Sequence, residues 1–299
     1  MYIRVPVPID HTVGESTSPA ESGSIGSLTG FGQAPAPGLP NLSDWKELIG
    51  FRPSEQVQKT IIGRSRLGHG LRFHRIEDAA SQGPVNLDYY PVKVSRLPQI
   101  PSVSYPEAGP PLVRVRNDAD AFLRHIRLNI NAFIDKRLTW FSPLEKSDES
   151  LWISSNPLGA VLHLDFYLLG GAKVGSIPMD DGSVVVSDFK SNYWRVYTIW
   201  TPTDHGHPVS GVREWGYSQS GSDYIFYTKA ADRITKSLAL PFKEYLYDAQ
   251  NQLWLSFQRA IAMFVNKNGG KAEVLPPVAN RYDWSQVAGQ YHRPTINWL

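Results

Sequence analysis

The stretch from Trp194 to Arg233, WRVYTIWTPTDHGHPVSGVREWGYSQSGSDYIFYTKAADR, constrains this chain more than any other. Its first run, Tyr193 to Trp200, is rich in β-branched and aromatic residues, which favour a pleated and partly buried surface. A strand alternates its side chains, so Trp194, Val196, Thr198 and Trp200 share one face, and Tyr193, Arg195, Tyr197 and Ile199 the other. Both faces carry large rings. A sheet with one wet side shows clean apolar and polar alternation instead, so this sheet is covered on both sides or curls around a cavity.

The runs Val212 to Tyr217 and Tyr224 to Lys229 extend the pattern, with Arg213, Trp215 and Tyr217 on one face of the first and Ile225, Tyr227 and Lys229 on one face of the second. Between them, SQSGSD has the composition of a hairpin loop, with Gly221 as its permissive residue. Arg213, Glu214 and Lys229 are read as cross-strand pairs or as cations stacked on rings.

Helical spacing brackets the strands. From Asn117 to Lys136 the recurrence of Phe122, Ile126, Ile130 and Phe133 predicts an amphipathic helix capped by Asn117. From Pro241 to the stop at Gly269 and Gly270, Phe242, Leu246, Ala249, Leu253, Phe257, Ala260 and Phe264 form the stripe of a second helix, long enough to cross a whole sheet. Strands are expected near 159–169, 183–188, 193–201, 212–218 and 223–229. Upstream, SDWKELIG reads as a short helix ending at Gly50, while IIGRSR, LRFHRI, LDYYPVKV and PLVRVR read as edge or accessory strands.

Composition narrows the function classes. Residues 11–40 are dominated by Ser, Gly, Pro and Ala, and no Lys or Arg lies between Arg4 and Lys46. Such a segment buries too little apolar surface to offset its ordering entropy. The formal charge is +2, and the chain has no cysteine, which removes disulfides, thiolate metal sites and a cysteine nucleophile. The basic segment Arg64 to Arg75 is read as a charged edge strand rather than a phosphate-binding surface, so nucleic acid is not the expected partner. No secretory signal and no run of eighteen apolar residues is seen, so the default is a cytoplasmic protein without a membrane span, with export by a non-secretory route left open.

The loop Thr201 to Gly211 holds two prolines, two glycines and an Asp-His pair, and loops on rigid sheets are where sites sit. Asp204, His205 and His207 offer metal-ligand types, and His163 and Asp165 lie two apart on another expected strand. No HExxH, CxxC or facial-triad spacing supports a metal, and none is assigned. Asp204 and His207 beside Ser210 are the catalytic candidates of an acid-base reading.

Antiparallel strands followed by a long closing helix enclose a cavity, and this layout resembles the helix-grip arrangement of the START-like superfamily. HPVSGVREWGY, a hairpin and YIFYTKAADR are similar to the His-Pro-x-x-Gly-x-x-x-Phe pattern followed by a strand and a Ser-Arg or Asp-Arg ending in uncharacterised bacterial members; His207, Pro208, Gly211 and Arg233 match, and Trp215 stands where the pattern has a smaller aromatic. The resemblance covers at most residues 117–266. Members hold lipids, sterols and other apolar molecules between sheet and helix, with no catalytic role for the matched residues.

The expected fold is therefore α+β: a curved antiparallel sheet packed against a long C-terminal helix, with N-terminal accessory strands. Residues 1–42 are expected to be a flexible segment, 43–270 one domain with its core at 117–266, and 271–299 an irregular tail packed on the domain. The expected function is binding of an apolar or aromatic small molecule or lipid, without a cofactor. Trp194, Tyr197, Arg213, Trp215, Tyr227 and Lys229 are the candidate ligand contacts. The alternatives are a hydrolase or secreted effector using the Asp204, His205 and His207 loop, and an interaction protein with a protein partner.

Overall fold

The structure, a computed structural model, describes residues 42–79, 83–104, 112–167, 181–202, 204, 207–235 and 243–289. The Ser/Gly/Pro-rich segment, the Pro241 and Phe242 helix start, His205 and Trp298 lie outside these residues.

The elements run α1 (Lys46–Ile49), α2 (Glu55–Arg64), β1 (Arg72–Phe73), β2 (Val85–Arg96), β3 (Ile100–Ser104), β4 (Leu112–Arg116), α3 (Ala119–Leu128), β5 (Thr139–Pro143), α4 (Lys146–Ile153) and β6 (Val161–Phe166). They continue with β7 (Gly182–Lys190), β8 (Tyr193–Trp200), β9 (Val209–Ser220), β10 (Asp223–Ile234), α5 (Lys243–Lys267), β11 (Lys271–Val274), β12 (Val278–Tyr282) and α6 (Trp284–Ala288). Ten strands form one antiparallel sheet in the order β11-β2-β10-β9-β8-β7-β6-β5, with β1 added beside β8 and β12 beside β2, while β3 and β4 pair separately. The fold is α+β, a large antiparallel sheet packed against a long C-terminal helix, in a helix-grip-like arrangement.

Both faces of the sheet are buried. On one, Trp194, Val196, Trp215 and Phe226 join Phe122 and Ile126 of α3 and Leu253, Phe257, Ile261 and Val265 of α5. On the other, Val185, Tyr197, Ile199, Val212 and Ala231 join Trp45, Leu48 and Ile49 of the first helix, Val57 and Ile61 of the second, and Val287 of the last. The alternation in Tyr193 to Trp200 is thus a two-core pattern. Trp194 and Trp215, partners in the β8-β9 register, stack with centroids 5.3 Å apart, a pairing worth about 0.5–1.5 kcal/mol beyond its buried area.

Several expectations need correcting. The helix at 117–136 ends at Leu128, because Asn129 leaves helical geometry and its side chain donates to the His125 carbonyl at 2.9 Å. Asp118 rather than Asn117 caps it, accepting from the Ala121 N–H at 2.7 Å. IIGRSR is no strand. Ser54 caps a helix there, and Val57, Gln58 and Ile61 are buried at helical spacing. Of the basic segment only Arg72–Phe73 is strand, added beside the end of β8. Arg64 makes paired bonds of 2.9 and 3.0 Å to Asp148, and the Arg72 guanidinium lies 4.5 Å over the Trp200 ring.

LDYYPVKV lies within β2, an interior strand rather than an accessory one. It pairs with β10 on one side and with both C-terminal strands on the other. Pro91 is tolerated there because its carbonyl side faces the break between those two strands, where it accepts from the Leu275 N–H at 3.2 Å. Residues 271–289 are therefore not an irregular tail. They close that edge with β11 and β12, then place Trp284 of α6 under the Arg233 guanidinium, 4.5 Å from the ring centroid. Their strand pattern was weak because the two pieces are short and half exposed.

The residues of the His-Pro-x-x-Gly pattern hold β9 to β10. Ser210 is the register partner of Arg233, and the Thr235 N–H donates to the Pro208 carbonyl at 3.0 Å. Gly211 sits at φ +152° opposite Asp232, and a Cβ there would lie 2.1 Å from the Ala231 carbonyl oxygen. Gly211→Ala is therefore expected to destabilise the protein by about 2 kcal/mol or more, read as a lower urea midpoint with an unchanged slope. An unchanged midpoint would show that the strand pair gives way freely.

Candidate functional site

Between the sheet and α5 lies a partly open cavity of about 140 Å³. An apolar cavity of this order holds one aromatic ring. Its walls are Phe141, Leu164, Val184, Trp215, Leu253 and Trp254, and its polar end is formed by Thr198, His207, Arg213, Asp232 and Gln250. Strand pairing builds that end. Gly211 faces Asp232, Arg213 faces Ala230 and Trp215 faces Thr228, all on one side of the sheet. The missing side chain at Gly211 lets β9 approach the β10 backbone closely at Asp232.

Arg213 is the centre of the polar end. Its Nη2 donates to Asp88 Oδ2 at 2.7 Å and lies 3.8 Å from Asp232 Oδ2, and its Nη1 donates to Thr228 Oγ1 at 3.3 Å. The guanidinium also lies 4.1 Å over the Trp254 ring. From α5, Gln250 Nε2 donates to Asp232 Oδ2 at 2.8 Å and to Asp88 Oδ2 at 3.3 Å. Two buried carboxylates thus share one guanidinium. Burial, with the Asp88 charge beside it, pushes the Asp232 carboxyl up to about 7, against the pull of Arg213. At neutral pH this acid is poised to hold a proton at the end of an apolar cavity, where it can donate or accept a hydrogen bond.

The structure separates the candidate ligand contacts. Arg213 and Trp215 line the cavity, and Trp194 stacks behind Trp215. Tyr197 packs in the opposite core against Phe51 and Phe73, as its parity relative to Trp194 requires. Tyr227 and Lys229 also face away from the cavity. The Tyr227 hydroxyl donates to Glu214 Oε1 at 2.7 Å, and Lys229 Nζ donates to the Asp44 carbonyl while lying 5.2 Å from the Trp45 ring. Lys229 ties the start of the first helix to the sheet, together with Arg195, which bridges Glu214, Glu47 and Asp188.

The acid-base candidates do not assemble into a relay. His207 Nδ1 accepts from the Val209 N–H at 3.2 Å, and the Ser210 hydroxyl donates to the Arg75 carbonyl at 3.1 Å. Burial lowers His207 to about 3, so it stays neutral and is a poor base. The ring is seated against Gly182, where a Cβ would lie 2.3 Å from His207 Cδ2, and edge-on to Phe166. Asp204 turns instead to His163, with Oδ1 3.1 Å from Nδ1. Although burial opposes it, that contact holds Asp204 below the usual carboxylate range, and the same contact raises His163.

Asp88, Asp232, Gln250 and Trp254 carried no sequence signal as site residues. The parity of Asp232 with Thr228 and Ala230 placed it on the cavity face, but nothing in the pattern marked that face as holding an acid. A carboxyl raised in the folded state contributes stability at low pH that is lost as pH rises from the ordinary 3.8 towards about 7. The melting temperature of Asp232→Asn should therefore rise relative to wild type from about pH 4 to about pH 8, by the equivalent of a few kcal/mol. A difference that stays constant with pH would mean that Asp232 ionises normally.

No family model matches the chain, and no curated protein matches it. Among solved structures it is similar to the crystal structure of the di-domain ARO/CYC StfQ from the steffimycin biosynthetic pathway, at 13% identity and a TM-score of 0.39. The match covers 65% of this chain and 53% of that one, so the chain spans about half the length of that protein.

Proposed function

We propose that this chain binds a small apolar or aromatic molecule in the cavity between the sheet and α5. The observation that carries this reading is an apolar cavity with its polar groups gathered at one end. Trp215, Trp254, Leu253 and Phe141 offer ring and aliphatic surface, while Arg213, Asp232 and Gln250 offer a place for a single polar group. The 140 Å³ volume favours a compact ligand of about one ring over a long lipid. The helix-grip-like arrangement supports the same reading and agrees with the resemblance to the START-like superfamily. The hydrolase reading has less support, because Asp204, His207 and Ser210 each bond elsewhere.

Two tryptophans in the walls supply a direct readout. Titration with indole or toluene should change the intrinsic fluorescence saturably. Ala249→Trp, which fills the cavity from α5, should weaken that binding at least tenfold with the circular dichroism spectrum retained. Native mass spectrometry of protein purified from its host identifies a resident ligand. Unsaturable responses with both probes, together with an apo mass, would overturn the reading.

A further inference from the structure

A second constellation lies at the end of the β6-β7 pair. His163 and Asp165, two apart on the first of these strands, share a face, and that face is opposite to the one carrying Leu164 and Phe166 into the cavity. His163 is the register partner of Ser183 and Leu164 of Gly182, so the next step of the pairing brings Asp181 opposite Asp165. His163 Nε2 lies 3.8 Å from Asp165 Oδ1 and 3.8 Å from Asp181 Oδ2. One donor atom from each of the three residues falls within 4.8 Å of the other two. All three side chains are 20 to 29% exposed, which leaves the site open to solvent.

A buried group outside this trio gives the arrangement its direction. The Asp204 side chain is fully buried, comes from the loop after β8, and lies 3.1 Å from the far ring nitrogen of His163. A carboxylate there faces Nδ1 and orients the ring, whose Nε2 is turned toward the other two carboxylates. Like charges placed opposite each other across an antiparallel pair repel. A cation bound between the two carboxylates and Nε2 offsets that repulsion. A carboxylate behind a ligating histidine is also the usual outer partner that orients the ring and raises its basicity.

We propose that His163 Nε2, Asp165 Oδ1 and Asp181 Oδ2 form a binding site for a divalent transition-metal ion, with Zn²⁺ the best match and Asp204 the positioning residue. One imidazole nitrogen with two carboxylate oxygens suits Zn²⁺ better than Mg²⁺ or Ca²⁺, which favour all-oxygen shells. Bonds near 2.1 Å put tetrahedral donors roughly 3.4 Å apart, so the present spacing closes onto an ion with small side-chain rotations. The fourth position is left to water or a ligand. This site stands on the face opposite the cavity and does not depend on the reading of the cavity.

The test is calorimetric titration of the EDTA-dialysed full-length protein with Zn²⁺ at pH 7.5 (about neutral), with Co²⁺ visible absorption as a spectroscopic check of the donor set. One equivalent binding with a micromolar or tighter Kd is expected. Asp181→Asn and His163→Gln should each weaken it at least tenfold, and Asp204→Asn by about 10- to 100-fold. Asp181→Asn keeps all 8 histidines, so its loss of affinity separates this site from adventitious histidine binding, and it carries the test with Asp165→Asn should His163→Gln fail to fold. Affinity weaker than about 100 μM, a Zn²⁺ isotherm unchanged in Asp181→Asn, or tighter binding of Ca²⁺ than of Zn²⁺ would overturn the proposal.

Discussion

Burial of one antiparallel sheet on both faces is the constraint on which the other features depend. β8, β9 and β10 run between two cores, so each of their residues answers to a partner layer on its own side. The α3 and α5 layer makes the cavity, and the layer of short helices at the N- and C-terminal ends stiffens its back wall. Polar groups inside such a sandwich need partners, since an unpaired buried charge is costly. Arg195 with Glu214 on one face and Arg213 with Asp88 on the other meet that need through the neighbouring β9 residues 213 and 214. The two arginines look alike in sequence and serve opposite sides of the sheet.

The polar end of the cavity follows from that geometry. Asp88 on β2, Arg213 on β9 and Asp232 on β10 come together because their strands are adjacent in register. Gln250 adds a tie from the helix. A sheet with one wet face would hydrate these carboxylates and leave them ordinary. Here desolvation and mutual repulsion raise Asp232. The chemistry that this end offers to a ligand is thus set by burial more than by residue type.

Parity explains which of the candidate ligand contacts line the cavity and which do not. Trp215 and Arg213, two apart, do share the cavity face. Tyr197 is an odd number of residues from Trp194, so the two cannot point the same way, and Tyr227 and Lys229 fall on the back face for the same reason. Metal-ligand types were visible in the loop as Asp204 and His207, but the long-range pairing decides otherwise. His207 is consumed by packing against Gly182 and Phe166, and Asp204 backs His163 across the sheet.

By itself the sequence determined the α+β class, the five strands of the core, the hairpin at Gly221 and the long closing helix. Each is written in local periodicity and turn chemistry, which depend only on neighbours in the chain. It also required cover on both sheet faces, because rings of both parities cannot all face water. Only the tertiary structure decided that LDYYPVKV is interior, that residues after Gly270 close the sheet, and that Asp88, Arg213, Asp232 and Gln250 meet. Those outcomes rest largely on the pairing of β2 with residues more than a hundred positions away. Pairing at that range is settled by which surfaces bury best together, and local pattern carries no record of it.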